Sequence, residues 1–354
     1  MVAMEFLERV RERGHKVSVL LGDCRESFDG DIDFYSVPRW GFLSWVIGSP
    51  YPVFRNVSDL IKIVNPDVVH VNSHLFFCNY QAVKASRLLR IPCVVTVHGF
   101  MVERSFVWDA MQGVYLWTVA KSLFEKVSAV ICLTEHDAAS VGGIVGGYEK
   151  IFVIPNGVDS DFFKPSSLKD SNLITWVGRL VPEKGLVYLL HAMREIVRVH
   201  PDVKLVVIGG GPLETRLVKL ADELGLSGNV RFVGSVGRVD VVRFLSRSSV
   251  FVFPSLREGL PLSVLEAMAC GVPIVGSDIP GVNGLVKHGY NGLLVPPKDS
   301  GLLAQAVLTL LTDDKLRMVM GVNARRIIVD KYSWDKVIQK LEGVYCGATA
   351  EFGK

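Results

Sequence analysis

Two carboxylates, Glu258 and Glu266, sit in the stretch from Arg257 to Gly271, REGLPLSVLEAMACG. The apolar run Val250 to Phe253 before them reads as a buried strand closed by Pro254. Pro261 suits a first helical position, where its missing N–H would have had no partner. Leu262, Leu265, Met268 and Ala269 then recur at helical spacing, and Gly271 and Pro273 stop the helix. The free N–H groups of that helix face the loop and form a ready anion site. A carboxylate beside an anion site repels phosphate unless it serves another part of the same ligand. An ionised carboxylate only accepts hydrogen bonds, so sugar hydroxyls are its natural partners. The plain structural reading of the same stretch is a capped core helix with two solvated glutamates.

Two more strand ends carry chemistry. The run 173–177 ends in Gly178-Arg179, and Lys184 follows in VGRLVPEKG. Two cations on a strand-to-helix turn suit a diphosphate, Arg through forked oxygens and Lys as a compact charge; an ordinary basic loop would look the same. The run 204–208 ends in Gly209-Gly210-Gly211-Pro212, a turn that lets backbone approach a ligand closely. It lacks the G-x-G-x-x-G spacing of a dinucleotide fingerprint, and no G-x-x-x-x-G-K-[ST] phosphate loop occurs anywhere. The commonest nucleotide enzymes are thereby removed from first place.

The elements that must position these residues alternate. Helical stretches are predicted near 2–13, 55–64, 76–90 and 104–126, with strands at Val17–Leu21, Val68–Val71, Cys93–Val97 and Ala129–Leu133 between them. Thr134 is a plausible cap for the next helix. After the strand Ile151–Ile154 comes the turn Pro155-Asn156-Gly157, then a polar, proline-bearing stretch, Asp159–Ser171, read as a linker. A second series follows: strands at 173–177, 204–208, 230–233, 250–253, 273–276 and 293–295, and helices at 185–199, 212–224, 239–247, 261–270, 299–312 and 313–330. This pattern predicts two α/β domains, each a parallel sheet covered on both faces, with ligands at the carboxyl ends of the strands. A last apolar stripe, Trp334, Val337, Ile338, Leu341, Val344 and Tyr345, has helical spacing and is expected to return to the first domain.

Composition agrees with two such domains. The 354 residues are 49% hydrophobic and 21% charged, which suits large cores and excludes disorder. The net charge of +3 argues no nucleic-acid partner. It is uneven: residues 1–165 are net −2 and the remainder net +5. The six cysteines form no close pairs and no metal-site spacing; no metal and no cofactor are expected. No apolar run spans a bilayer and no signal-peptide pattern opens the chain, which predicts a cytoplasmic protein. Trp40, Phe42, Trp45 and Tyr51 crowd the irregular stretch 38–54 and could touch the inner face of a membrane, though packing inside the first domain is the simpler reading.

The conjunction of GR…EK, GGGP and EGLPLSVLEAMACG in one domain resembles the retaining glycosyltransferases of the GT-B fold, in the large family 4 (glycosyl transferases group 1). The resemblance runs from about Glu5 to Tyr345 and is most specific from Ile154 to Pro297, including IPNGVD at 154–159 and HGYNGLLVPP at 288–297. The spacing E-x7-E at Glu258 and Glu266 is that family's signature. The resemblance implies two Rossmann-like doubly wound domains facing a cleft: residues 1–160 on the acceptor side, 161–330 binding the nucleotide sugar, and 331–354 as the returning helix. It implies that Arg179 and Lys184 hold the donor diphosphate together with backbone at Gly259, Leu260 and Leu262. Gly209, Gly210 and Gly211 would lie near the nucleotide. Glu266 would take the ribose and Glu258 the donor sugar. His98, closing a strand as TVHGF, looks like the family's active-site histidine, although a lone strand-end His is often structural. The implied reaction moves a hexose from a nucleoside-diphosphate donor to an acceptor sugar, glycan or lipid-linked acceptor, with retention and without a metal.

The chain departs from the family at its start. Members normally begin with a strand and a glycine-rich loop before the helix that leads into an "RGH-V" turn. Here Arg13-Gly14-His15-Lys16-Val17 comes almost at once. That predicts a first domain lacking its usual first strand, whose sheet must leave a gap or re-pair its neighbours. Either the start codon lies further upstream or the form is truncated and inactive. Two rival functions stay open at this point: a non-catalytic nucleotide-sugar-binding protein and a sugar-nucleotide epimerase.

Overall fold

The computed structural model describes residues 2–22, 32–37, 56–73, 77–99 and 116–352. The aromatic stretch 38–54 lies outside them, as does 104–115 of the predicted long helix. The chain divides into two compact units, Asn156–Lys336 and a first unit made of Met1–Pro155 with Val337–Lys354.

The second unit is built on one six-stranded parallel sheet. Its strands are β7 (Leu173–Val177), β8 (Lys204–Ile208), β9 (Val230–Gly234), β10 (Val250–Phe253), β11 (Ile274–Ser277) and β12 (Gly292–Val295). They lie in the order β12-β11-β10-β7-β8-β9. The first strand of the unit therefore sits mid-sheet, with its successor on one side and the fourth strand on the other. That is the doubly wound order, whose ligand crevice opens where the winding reverses, between β7 and β10. Both faces are covered, so the strands read as continuous apolar runs. Alternate side chains of β10 go to opposite cores. Val250 and Val252 join Trp176 and the helix Leu186–Val199, while Phe251 and Phe253 join the helix Leu262–Ala269. Each such burial contributes ~1.5–3 kcal/mol.

The stretch 159–171 is part of this unit rather than a free linker. Phe163 is fully buried in its core, and Arg238 lies 4.8 Å from the Phe162 ring. The Asp159 carboxylate accepts from the N–H of Asp161 and Phe162, turning the chain locally. At the other end of the unit, Val158 N donates to Tyr332 O, and Val158 bridges Ser333, so the two segments by which the chain enters and leaves are paired.

The first unit holds β1 (Ser18–Gly22), β2 (Asp33–Val37), β3 (Val69–Asn72), β4 (Cys93–Val97), β5 (Ala129–Cys132) and β6 (Ile151–Val153). Among the described residues its strands form two separate parallel sheets, β1-β2 and β3-β4-β5-β6, with no pairing between them. β2 was not anticipated; Asp33 and Ser36 interrupt the apolar pattern that marks the other strands. The predicted helix ending at 126 opens, within the described part, as a π-helical turn, Leu116–Ala120, before Lys121–Lys126. Residues 337–350 of the terminal helix, Trp334–Ala350, belong to this unit. Glu342 accepts from Arg13 at 3.2 and 2.7 Å and lies 3.0 Å from the His15 ring. Arg13 chiefly, with His15, draws the Glu342 carboxyl down to about 2. Tyr345 Oη lies 2.5 Å from His70 Nδ1, whose other ring nitrogen is 2.7 Å from Thr96 Oγ1. Burial, then the nearby His98, pushes His70 down to about 4.

Candidate functional site at the carboxyl ends of β7 and β10

The loops that follow the strands of the second unit are sewn to one another by backbone hydrogen bonds. Leu180 N donates to Gly210 O and Leu213 N to Leu180 O, joining the loop after β7 to the loop after β8. Gly209 N donates to Gly234 O, adding the end of β9. Gly209 has φ +123, and a Cβ there would stand 1.9 Å from Gly178 O, so only glycine allows this approach. Gly210 and Gly211 continue the same close turn over Leu180.

The loop after β7 is tied just as closely to the loop after β10. Pro182–Lys184 form one 3-10 turn, ended by Gly185 at φ +63. A Cβ on Gly185 would meet Pro254 O at 2.0 Å. Glu183 O accepts from Leu256 N at 2.7 Å and lies 2.9 Å from Ser255 Oγ. This stitching places Lys184 against Glu258: the Lys184 ammonium donates to Glu258 Oε1 at 2.5 Å. The side chains are 20% and 9% exposed, so the pair is largely removed from water. Lys184 Nζ also lies 5.3 Å from the Phe253 ring centre, a favourable cation–aromatic position. Ser255 Oγ donates to the same carboxylate oxygen at 2.6 Å.

Beside this pair the helix Leu262–Ala269 begins, with Pro261 as its cap residue in extended backbone. Leu262, Ser263 and Glu266 are its partly open positions, while Val264, Leu265, Ala267, Met268 and Ala269 are buried. Glu266 thus shares a face with Leu262 and Ser263, whose N–H groups have no partner among the described residues, while Val264 N and Leu265 N donate to Pro261 O. Gly259 is exposed and Leu260 half-buried at the loop tip. The far end of the helix is closed by cations: Arg325 donates to Ala269 O and Phe163 O, and Lys169 to Cys270 O and Ser248 O. These positive charges offset the negative end of the helix dipole and leave its positive end for a ligand. Burial first, with Arg317 adding to it, lowers Lys169 to about 8.

Of the residues singled out from sequence, the fold brings Lys184 and Glu258 into contact. Arg179 is exposed; its backbone O accepts from Val181 N, and its side chain pairs with none of the described residues. Glu258 is not solvated, contrary to the plain structural reading of its stretch: Lys184 and Ser255 hold it. Ser255, Lys169 and Arg325 were not anticipated: the Ser255 contact with Glu258, three residues on, depends on the shape of the loop, and Lys169 and Arg325 donate to backbone carbonyls remote in sequence. Among the described residues no group of three or more His, Cys, Asp or Glu could hold a metal ion.

In the first unit His98 closes β4, and its Nε2 lies 3.0 Å from Asn72 Oδ1 at the end of β3. As the amide oxygen only accepts, Nε2 carries the proton and Nδ1 is left as an acceptor. Burial lowers the His98 pKa, with Asp137 opposing. Asp137 is in the first turn of the helix Glu135–Val145, where its N–H donates to the Thr134 side chain.

Two family models cover most of the chain: Glycosyltransferase Family 4 over residues 1–162 and Glycosyl transferases group 1 over residues 158–327. The chain is 34% identical over 303 residues to the UDP-Gal:alpha-D-GlcNAc-diphosphoundecaprenol alpha-1,3-galactosyltransferase of Escherichia coli, covering 81% of this chain and 76% of that one. It is 35% identical to the alpha-D-kanosaminyltransferase of Streptomyces kanamyceticus, covering 85% and 82%. The chain belongs to glycosyltransferase family 4. It is a transferase of the glycosyl class, EC 2.4.

Solved structures agree on the fold of this family 4 glycosyltransferase. Sucrose-phosphate synthase from Thermosynechococcus elongatus superposes with a TM-score of 0.78 at 21% identity, covering 99% of this chain and 93% of that one. Anabaena Alr3699/HepE, solved in complex with UDP, gives 0.77 at 22% identity, covering 97% and 94%. The fold is GT-B. Among the described residues no helix is long and apolar enough to cross a membrane.

Proposed function

We propose that the protein transfers a hexose from a nucleoside-diphosphate donor to a sugar hydroxyl, free, within a glycan or on a lipid-linked acceptor, with retention of configuration. The observation that carries the donor half is the contact of Lys184 with Glu258 where the winding of the sheet reverses. A cation for phosphate and a carboxylate for sugar hydroxyls stand side by side at the mouth of a helix N-terminus. The E. coli relative's name carries both a UDP-sugar and a lipid-linked acceptor, and HepE was solved with UDP. Both support this reading.

In the proposed reaction the acceptor oxygen bonds to the anomeric carbon as the carbon–phosphate oxygen bond breaks. The nucleoside diphosphate leaves with the electron pair, and its phosphate oxygen takes the acceptor's proton on the same face. Arg179, Lys184 and the first-turn N–H groups of the helix Leu262–Ala269 stabilise the charge that develops on the leaving group. Donors fixed in advance around a growing charge lower the barrier more than any other device such a site has. Glu266 binds ribose, Glu258 orients the donor sugar, and neutral His98 offers its Nδ1 as an acceptor. The backbone of Gly209, Gly210 and Gly211 borders the nucleotide. The active site works from the inner, cytoplasmic side of the membrane, to which the chain attaches peripherally when its acceptor is lipid-linked.

Incubation with UDP-, GDP-, ADP- and dTDP-sugars, with simple glycosides as acceptors, tests this. Release of a nucleoside diphosphate that Lys184→Ala abolishes, with an α-linked product by proton NMR from an α-linked donor, is the expected result. A β-linked product overturns retention. Binding of a sugar nucleotide with no turnover supports the second reading, a nucleotide-sugar-binding protein, which the lack of pairing, among the described residues, between the β1-β2 and β3-β4-β5-β6 sheets of the first unit favours.

A further inference from the structure

We propose that Ser255 is a positioning residue for Glu258, fixing one carboxylate oxygen so that the other faces the donor sugar. The inference rests on the donor-site reading above. Ser255 is fully buried, and its hydroxyl has a single proton to give. Three oxygens lie within reach: Glu258 Oε1 at 2.6 Å, Glu183 O at 2.9 Å and Arg257 O at 3.3 Å. The carboxylate takes the proton, because it is the shortest contact and the only charged acceptor. Glu183 O does not depend on Ser255, since Leu256 N already donates to it at 2.7 Å.

Lys184 donates to the same oxygen, Oε1. Both bonds therefore fall on one side of the carboxylate, and among the described residues Oε2 is the atom left for a ligand hydroxyl. The terminal torsion of a glutamate is broad and nearly two-fold, so an unheld carboxylate samples many planes. Lys184 alone is a poor anchor: its ammonium sits on a flexible stem, and in the proposed complex it also serves the diphosphate. Ser255 sits on the short segment between β10 and Glu258 and is locked by burial, so it keeps Oε1 in place whether or not Lys184 is shared. The role is to orient Glu258; Ser255 itself touches no ligand.

The test compares calorimetric dissociation constants for UDP, GDP, ADP and dTDP with those of the matching sugar nucleotides, on the full chain. Ser255→Ala should leave nucleoside diphosphate affinity within about threefold. It should lower sugar-nucleotide affinity relative to diphosphate by about tenfold, the low end for a hydrogen bond to a charged group. In a Glu258→Ala background, Ser255→Ala should change that ratio no further. Ser255→Thr, which keeps the hydroxyl, should restore it. If Ser255→Ala does not fold, Ser255→Cys, a weaker donor of similar shape, should show the same selective loss. A ratio unchanged in Ser255→Ala or Ser255→Cys but lost in Glu258→Ala overturns the role of Ser255 and leaves the donor site standing. Equal losses for diphosphate and sugar nucleotide also overturn it, since they mark general damage to the loop. Failure of the intact chain to bind any of the probes overturns the donor-site reading, and this proposal with it.

Discussion

Replacing Glu258 with Gln should tighten the binding of a bare nucleoside diphosphate. In the empty site the Lys184 ammonium is already matched by Glu258 at 2.5 Å. A phosphate oxygen bonded to the same ammonium stands ~2.8 Å from it, and so ~5 Å from the carboxylate. Two unit charges at that distance repel by ~3 kcal/mol at an effective dielectric of ~20 and by ~0.8 kcal/mol in bulk water. With side-chain exposures of 20% and 9%, the pair lies between these limits. Removing the charge but keeping the shape should therefore strengthen diphosphate binding by ~1–3 kcal/mol, about fivefold to a hundredfold. The sugar nucleotide should gain less, because the amide is a weaker acceptor for a sugar hydroxyl than the carboxylate. Glu266→Gln should behave differently, weakening diphosphate and sugar nucleotide alike, as its proposed partner is ribose. Isothermal titration of both variants with both ligands reads all four constants. If Glu258→Gln weakens the diphosphate as much as the sugar nucleotide, carboxylate and phosphate do not compete for Lys184.

Arg179→Ala should weaken diphosphate binding by ~1.5–3 kcal/mol with no loss of thermal stability, because the side chain is exposed and pairs with no described residue; an unchanged dissociation constant removes it from the site. The stability of the first unit should depend on pH through His70. Its folded pKa of about 4 lies below the ordinary 6.5, so the unfolded chain binds the extra proton first. The stabilisation is whole above pH 6.5 and is lost as pH falls toward 4, by up to ~3 kcal/mol. Glu342, at about 2, adds a further loss between pH 4.5 and 2. His70→Gln should flatten the upper window in denaturant titrations, and an unaltered slope there would count against the buried neutral imidazole. Ending the chain at Lys336 removes the partners of Arg13, His15 and His70 while sparing Trp334 of the second unit. Hydrogen exchange should rise in residues 2–22, 56–73 and 77–99 and diphosphate affinity should hold; protection unchanged there would contradict the docking of the terminal helix.

The second unit was legible in the sequence because its physics is local. Strands buried on both faces must be continuous apolar runs, as Val250–Phe253 is, and the helices between them announce themselves by spacing. At the site, position was legible at strand ends: Lys184, Glu258 and the glycines at 209–211 lie on the loops after β7, β10 and β8, where Lys184 meets Glu258. What stayed hidden depends on local loop geometry or on partners far along the chain. Nothing near Ser255 in FPSL marks it as the residue that holds Glu258. Lys169 and Arg325 look like surface cations until the fold brings them to the carbonyls of one helix end. Phe163 sits in a polar, proline-bearing stretch that reads as linker, yet its ring fills a core. β2 was missed for the opposite reason: Asp33 and Ser36 break the pattern, and its pairing with β1 supplies what its composition does not.

The most direct test of the account is a crystal structure of the full chain with the nucleoside diphosphate that titration selects. The account predicts both phosphates at the carboxyl ends of β7 and β10, with Lys184 Nζ and the first-turn N–H groups of Leu262–Ala269 within ~3 Å of phosphate oxygens and Glu266 on the ribose. A diphosphate bound elsewhere, with the Lys184–Glu258 pair undisturbed and no ligand oxygen near it, would contradict a donor site at these strand ends.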